Sequence, residues 1–74
     1  MHNGWKIEEA NRLVGETLVE IGTLAEQIIP AQAEALLDEF ERDIKDGFLL
    51  KSMAVVRATC DEYARRFRAL VRDE

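Results

Sequence analysis

The feature that most constrains the fold is an unbroken alternation of four- and three-residue steps between apolar residues late in the chain. It runs through Leu49, Met53, Val56, Cys60, Tyr63, Phe67 and Leu70. An α-helix turns once in 3.6 residues, so this spacing places all seven side chains on one helical face. We therefore predict a helix over about residues 48–72, with this face packed against the rest of the protein.

A second apolar stripe occupies the first third of the chain and repeats every seven residues. It is formed by Ile7, Val14, Ile21 and Ile28, and such a repeat is typical of a helix that packs along a coiled-coil-like seam. Pro30 cannot donate a backbone hydrogen bond but suits the first turn of a helix. The sequence therefore predicts a first helix over about residues 5–28 and a chain turn before Pro30.

The middle segment has one apolar helical face and an acidic opposite face. The apolar face comprises Ala33, Leu36, Leu37, Phe40 and Ile44. The dipeptide Asp46-Gly47 then predicts a helix end, because glycine readily adopts the left-handed conformation common at helix C-termini. The second helix is therefore expected over about residues 30–45, shorter than its neighbours.

These three segments predict an all-α fold, since no sustained two-residue alternation indicates a strand. We expect one domain over residues 1–74, built as a three-helix bundle of a long, a short and a long helix. A chain of this size hides only about 60% of the surface that its unfolded form exposes. Because the short helix cannot cover both long ones, we also predict a homodimer through helices 1 and 3.

Composition limits the chemistry that this chain offers. One cysteine and one histidine supply neither a disulfide framework nor a usual zinc site. No nucleophile–base constellation, glycine-rich phosphate loop or calcium loop is present, so we expect no enzymatic activity, no cofactor and no metal. Cys60 lies in the third apolar stripe and is interpreted as a buried structural thiol. No apolar span or leader is visible, which predicts a cytoplasmic protein without membrane contact.

The chain is acidic overall, with a net charge of −5, but its last third carries an excess of basic residues. That excess includes the C-terminal arginine cluster, which comprises Arg65, Arg66, Arg68 and Arg72. Asp61 and Glu62 stand four residues before the first two and predict ion pairs on the helix surface. The other two lack such partners, so they are expected to pair with Glu26, Glu34 or Asp38, or to bind a phosphate-bearing ligand or an acidic protein surface.

An acidic ridge on the second helix is a further candidate site. Glu39, Asp43 and Asp46 lie at offsets of 0, 4 and 7 along one line of that helix, without an intervening cation. Helical geometry puts them on the same side. Their interpretation is either a solvated face or a docking strip for a basic partner.

Two features of the first helix favour a contact with another helix. Gly15 and Gly22 flank Val19 on one side of the helix, and glycine inside a helix costs about 1 kcal/mol relative to alanine. This cost is understandable where a second helix approaches closely, so this face is a candidate dimer or partner contact. Trp5 is interpreted either as a cap on the bundle end or as an aromatic anchor in an interface.

Together these patterns predict a small interaction module without catalytic activity. We expect a cytosolic regulator or inhibitor that binds and occludes a partner protein, of the kind that phages and mobile elements encode. Binding of nucleotides or nucleic acid through the arginine cluster is an alternative, although the acidic net charge disfavours nucleic acid. Structural self-assembly is a third hypothesis.

Overall fold

A computed structural model describes residues 4–72 of the chain. Over this range it contains three α-helices and no strand: α1 (Ile7–Ala25), α2 (Pro30–Leu50) and α3 (Met53–Arg72). The predicted all-α, three-helix fold is therefore confirmed for these residues. The helices form an elongated bundle of 47 × 17 × 14 Å. Within the described range, none of them combines the length and the apolarity that crossing a membrane requires.

The third helix is the element on which the other two pack. α3 lies against both α1 and α2, whereas α1 and α2 approach each other only weakly. Arg57 and Arg68 of α3 bind Glu9 and Glu20 of α1, in the same order along both helices, so α1 and α3 run parallel. α2 runs antiparallel to both. The result is an up-down-up bundle that is closed on two sides and open between α1 and α2.

The core follows the apolar stripe predicted for α3. Val56, Cys60, Tyr63 and Phe67 are buried, which confirms both the helical register and the buried position of the thiol. Facing them from the first two helices and their connection are Ala10, Ile21, Ile28, Ala33, Leu36, Phe40 and Ile44. Leu49 departs from the prediction, because it belongs to α2 and is 76% exposed.

The predicted end of the second helix at Asp46-Gly47 was wrong. α2 continues through Gly47 to Leu50, and the three helices have nearly equal lengths of 19, 21 and 20 residues rather than a long, short and long order. Gly47 is buried, and a Cβ there would lie 3.2 Å from Cγ2 of Val56 and 3.3 Å from Cγ1 of Val55. Glycine therefore permits α2 and α3 to approach closely next to their connection.

The turn between α2 and α3 uses a residue other than glycine. Lys51 adopts the left-handed conformation (φ 52°, ψ 48°). The amide of Lys51 donates to the carbonyl of Phe48, and that of Ser52 donates to the carbonyl of Gly47, which is the Schellman pattern of a helix C-terminus. Ser52 Oγ then accepts a hydrogen bond from the amide of Val55 at 3.2 Å, which caps the start of α3.

The heptad stripe of the first helix lies largely inside the single chain. Ile21 and Ile28 are buried, Val14 is half-buried, and only Ile7 is exposed. Helix α1 itself ends at Ala25, so Ile28 contributes from the connection to α2. The residues of the stripes from which a homodimer through helices 1 and 3 was predicted form most of the core of the single chain, and the homodimer itself stays a prediction.

Candidate functional site: an apolar groove between α1 and α2

The open side of the bundle carries two apolar cavities. The first has a volume of about 310 Å³, and it is lined by Leu18, Ile21, Gly22, Ala25, Pro30, Ala33, Glu34, Leu37 and Phe67. The second has a volume of about 350 Å³, and it is lined by Asn11, Val14, Leu18, Phe40, Glu41, Ile44, Lys45 and Phe48. Leu18 lines both cavities, so they are neighbours along the open side, and we call the two together the α1–α2 groove.

The groove arises from the way in which the helices pack. α1 and α2 each use one edge of their apolar face to contact α3, and the other edge faces the gap between them. Phe67 of α3 reaches the floor of the gap at one end. Along α1 the lining runs from Asn11 to Ala25, a distance of about 21 Å at 1.5 Å per residue. The groove is therefore as long as a helix of about four turns.

The rim of the groove is predominantly acidic. Glu34 and Glu41 line it from α2, and Asp38 lies one turn along the same side of that helix. These three exposed carboxylates, which we call the rim acids, share that side of α2 with a single lysine of the lining, Lys45.

The side of α1 that carries Gly15, Val19 and Gly22 borders the groove. Val19 is 73% exposed, and a Cβ at either glycine would meet no atom within 4 Å. Gly22 also lines the first cavity. No helix within residues 4–72 makes use of these glycines, so their predicted role in a dimer or partner contact stays a prediction.

The structure does not gather the C-terminal arginine cluster into one patch. Arg66 turns toward α2 and binds Glu39 at 3.3 Å, while its guanidinium lies 4.8 Å from the centre of the Tyr63 ring. Arg68 turns toward α1 and binds Glu20 at 2.9 Å. Side chains two positions apart on an α-helix point in directions that differ by about 200°. These two arginines therefore bridge α3 to different helices.

Outcomes differ among the expected partners of this cluster. The pair of Arg66 with Glu62 is present at 3.8 Å, as the spacing predicted. Arg68 binds Glu20 rather than Glu26, Glu34 or Asp38. Arg65 is exposed and forms no salt bridge within the described residues, and the side chain of Arg72 lies outside the described part. Ligand binding by the cluster stays a prediction.

Two members of the acidic ridge contact α3. Asp43 accepts a hydrogen bond of 2.5 Å from the hydroxyl of Tyr63, and Glu39 accepts one from Arg66. Asp46 is exposed. The ridge thus supports the packing of α2 on α3, a role that the sequence on one helix does not reveal, and docking of a basic partner there stays a prediction.

Trp5 packs against the end of α2. Its ring meets that of Phe48 edge to face, with centroids 5.3 Å apart and planes at 85°, a favoured geometry for aromatic pairs. The indole is half-buried. This contact agrees with the interpretation of Trp5 as a cap on the bundle end, and an anchoring role in an interface stays a prediction.

Burial raises the pKa of two titratable groups on α3. Burial of Tyr63 raises its pKa above the ordinary value of 10.0, and its hydrogen bond to the Asp43 carboxylate adds to this rise. Burial likewise raises the pKa of the Cys60 thiol above 9.0. Both neutral forms are favoured in the folded protein.

We expect the stability of the protein to fall in alkaline solution. A group whose pKa is higher in the folded state than in the unfolded state contributes stability that is fully present below its pKa in the unfolded state. That contribution is lost as the pH rises through its pKa in the folded state. With respect to these two groups, the free energy of unfolding, measured with urea, should therefore be constant up to about pH 8 and decrease at higher pH. Since Tyr63 is the only tyrosine, tyrosinate absorbance follows it alone. Titration of the folded protein at or below pH 10 would contradict this assignment.

The residues of the groove were only partly visible in the sequence. Leu18 widens the stripe of α1, and Glu34 and Asp38 stand out only as charges on the outer face of α2. Their common location depends on the distance between α1 and α2, which a pattern within one helix does not contain.

No family model, curated protein or solved structure matches this chain.

Proposed function

We propose that this protein is a non-enzymatic interaction module, a cytoplasmic regulator or inhibitor that acts by binding another protein and occluding one of its surfaces. The observation that supports this proposal is the α1–α2 groove, which is open, apolar and as long as a four-turn helix. Grooves between helices that expose apolar side chains commonly receive the apolar face of a partner helix.

The exposed apolar surface next to the groove supports the same proposal. Leu18 and Val19 are 40% and 73% exposed, and exposed apolar patches rimmed by polar residues mark interaction sites. Binding there places the rest of this bundle over the partner, so steric occlusion follows from binding alone.

A matched pair of variants tests this proposal. Tagged protein is used to capture binding partners from a lysate of the source cells after nuclease treatment. We expect wild-type protein to retain a stoichiometric partner that Leu18→Glu loses, because a carboxylate is costly to place in an apolar contact. Leu49→Glu makes the same change at an exposed residue outside the groove and should retain the partner. Circular dichroism confirms that both variants fold.

Other outcomes of this experiment separate the competing functions. Equal capture by both variants would move the binding surface away from the groove. Loss of all captured material on nuclease treatment would favour nucleic-acid binding by the arginine cluster. Recovery of this protein alone would favour self-assembly, including the predicted homodimer, whose mass is measured by sedimentation.

A further inference from the structure

We infer that the occupant of the α1–α2 groove is a basic amphipathic helix of another protein, held by an apolar stripe on the groove floor and by lysine or arginine at its flanks. This inference rests on the proposed function and specifies the chemistry of the partner. It is carried by the combination of an apolar floor with an acidic rim.

The apolar part of the inference follows from the shape of the groove. Its floor is formed by Leu18, Ile21, Leu37 and Phe67 and continues past Phe40 and Ile44. A partner helix with apolar residues at three- and four-residue spacing presents one stripe along this floor. Since α1 and α2 both pack on α3 but scarcely on each other, an added helix completes the packing on the open side.

The charge of the flanks follows from the rim acids, Glu34, Asp38 and Glu41. Glu34 and Glu41 line the groove from α2, with Asp38 between them along that helix, and the lining contains only one cation, Lys45. Cations flanking the stripe of the incoming helix meet these carboxylates, whereas acidic flanks would be repelled. The arginines that bridge α3 to α1 and α2 are bonded to other carboxylates.

A second copy of the chain fits this groove poorly. Two grooves placed face to face would bring their rim acids together, and the whole chain has a net charge of −5. The outer face of α3 is basic but carries no large exposed apolar side chain in the part of the chain that the structure describes. A partner that combines an apolar stripe with basic flanks therefore matches the groove better than this chain does.

Two synthetic helical peptides of about 18 residues test the inference. Both carry the same stripe of leucine and alanine, and the flanks are lysine in one and glutamate in the other. Affinity is measured by fluorescence anisotropy with the full-length protein, and the contact surface is mapped by amide chemical shifts. We expect the lysine peptide to bind at least about tenfold more tightly at low salt, with the preference shrinking as salt screens the rim. Amides of groove residues, including Gly22 and Leu37, should shift.

Charge-neutralising variants with equal net charge provide the control. Glu34→Gln combined with Glu41→Gln should weaken the lysine peptide several-fold, while Asp61→Asn combined with Glu62→Gln, on α3 outside the groove, should leave its affinity unchanged. Leu18→Glu should abolish the shifts in the groove. All variants are compared with wild type by circular dichroism.

Three results would overturn the inference. The first is equal affinity for the two peptides, and the second is binding of neither peptide. The third is a dimer in sedimentation that Leu18→Glu converts to a monomer, because a second copy of the chain would then be the occupant. If a cellular protein is captured through Leu18 but the peptides are not discriminated, the proposed function stands and the charge assignment fails. If the lysine peptide binds but no protein is captured, the proposed function fails.

Discussion

Replacing Phe67 with alanine is expected to unfold most of the protein at room temperature. Phe67 is fully buried, and truncation of a buried phenylalanine costs about 3–5 kcal/mol through lost burial and the cavity that remains. Domains of this size have a total stability of only a few kcal/mol, about 3–5 by general experience. One substitution therefore removes most of the available stability.

Thermal unfolding followed by circular dichroism measures this effect. Leu49→Ala is the matched control, since it removes a large apolar side chain that is 76% exposed and should change the stability by no more than about 0.5 kcal/mol. A Phe67→Ala variant that melts at the wild-type temperature would show that the register of α3 differs from the one described.

Replacing Gly47 with valine is expected to destabilise the bundle by about 1–3 kcal/mol, the usual cost of overpacking. A Cβ at this position would already lie 3.2 Å and 3.3 Å from the side chains of Val56 and Val55, so the two further methyl groups must push α2 and α3 apart beside their connection. Urea unfolding gives the change in the free energy of unfolding.

Gly15→Val is the matched control for this substitution. It makes the same change inside a helix, but a Cβ at Gly15 would meet no atom within 4 Å. Valine has a slightly higher helix propensity than glycine, so this variant should be as stable as wild type or more stable by a few tenths of a kcal/mol. If both variants lost stability equally, the close approach of α2 and α3 at Gly47 would not be the cause.

The sequence predicted the elements whose signal lies within one helix. The stripe from Met53 to Leu70 gave the register of α3 correctly, and Pro30 marked the first residue of α2. The end of α2 was wrong because glycine has two uses that look alike in a sequence. Gly47 is required by the proximity of α3, whereas the left-handed turn is made by Lys51, a residue type that carries no turn signal.

The candidate site was less predictable because it depends on relations between helices. The acidic ridge looked unpaired along α2, yet Asp43 and Glu39 have partners on α3 that lie 20 and 27 residues later in the chain. The groove depends on how far apart α1 and α2 lie, and no spacing within one segment encodes that distance. Charge could be read from the sequence, whereas the arrangement of the charges required the packed structure.

The central position of α3 has a consequence for synthesis of the protein. A ribosome makes the chain from its N-terminus, so α1 and α2 emerge before the helix on which both of them pack. Until α3 has been synthesised, the apolar side chains of α1 and α2 that will pack against Phe67 and Val56 lack the helix that buries them. The α2–α3 hairpin joins neighbouring segments, whereas the ion pairs of Glu9 and Glu20 with α3 close loops of 48 residues. Short loops form more readily than long ones, so the attachment of α1 is the step that must wait for α3.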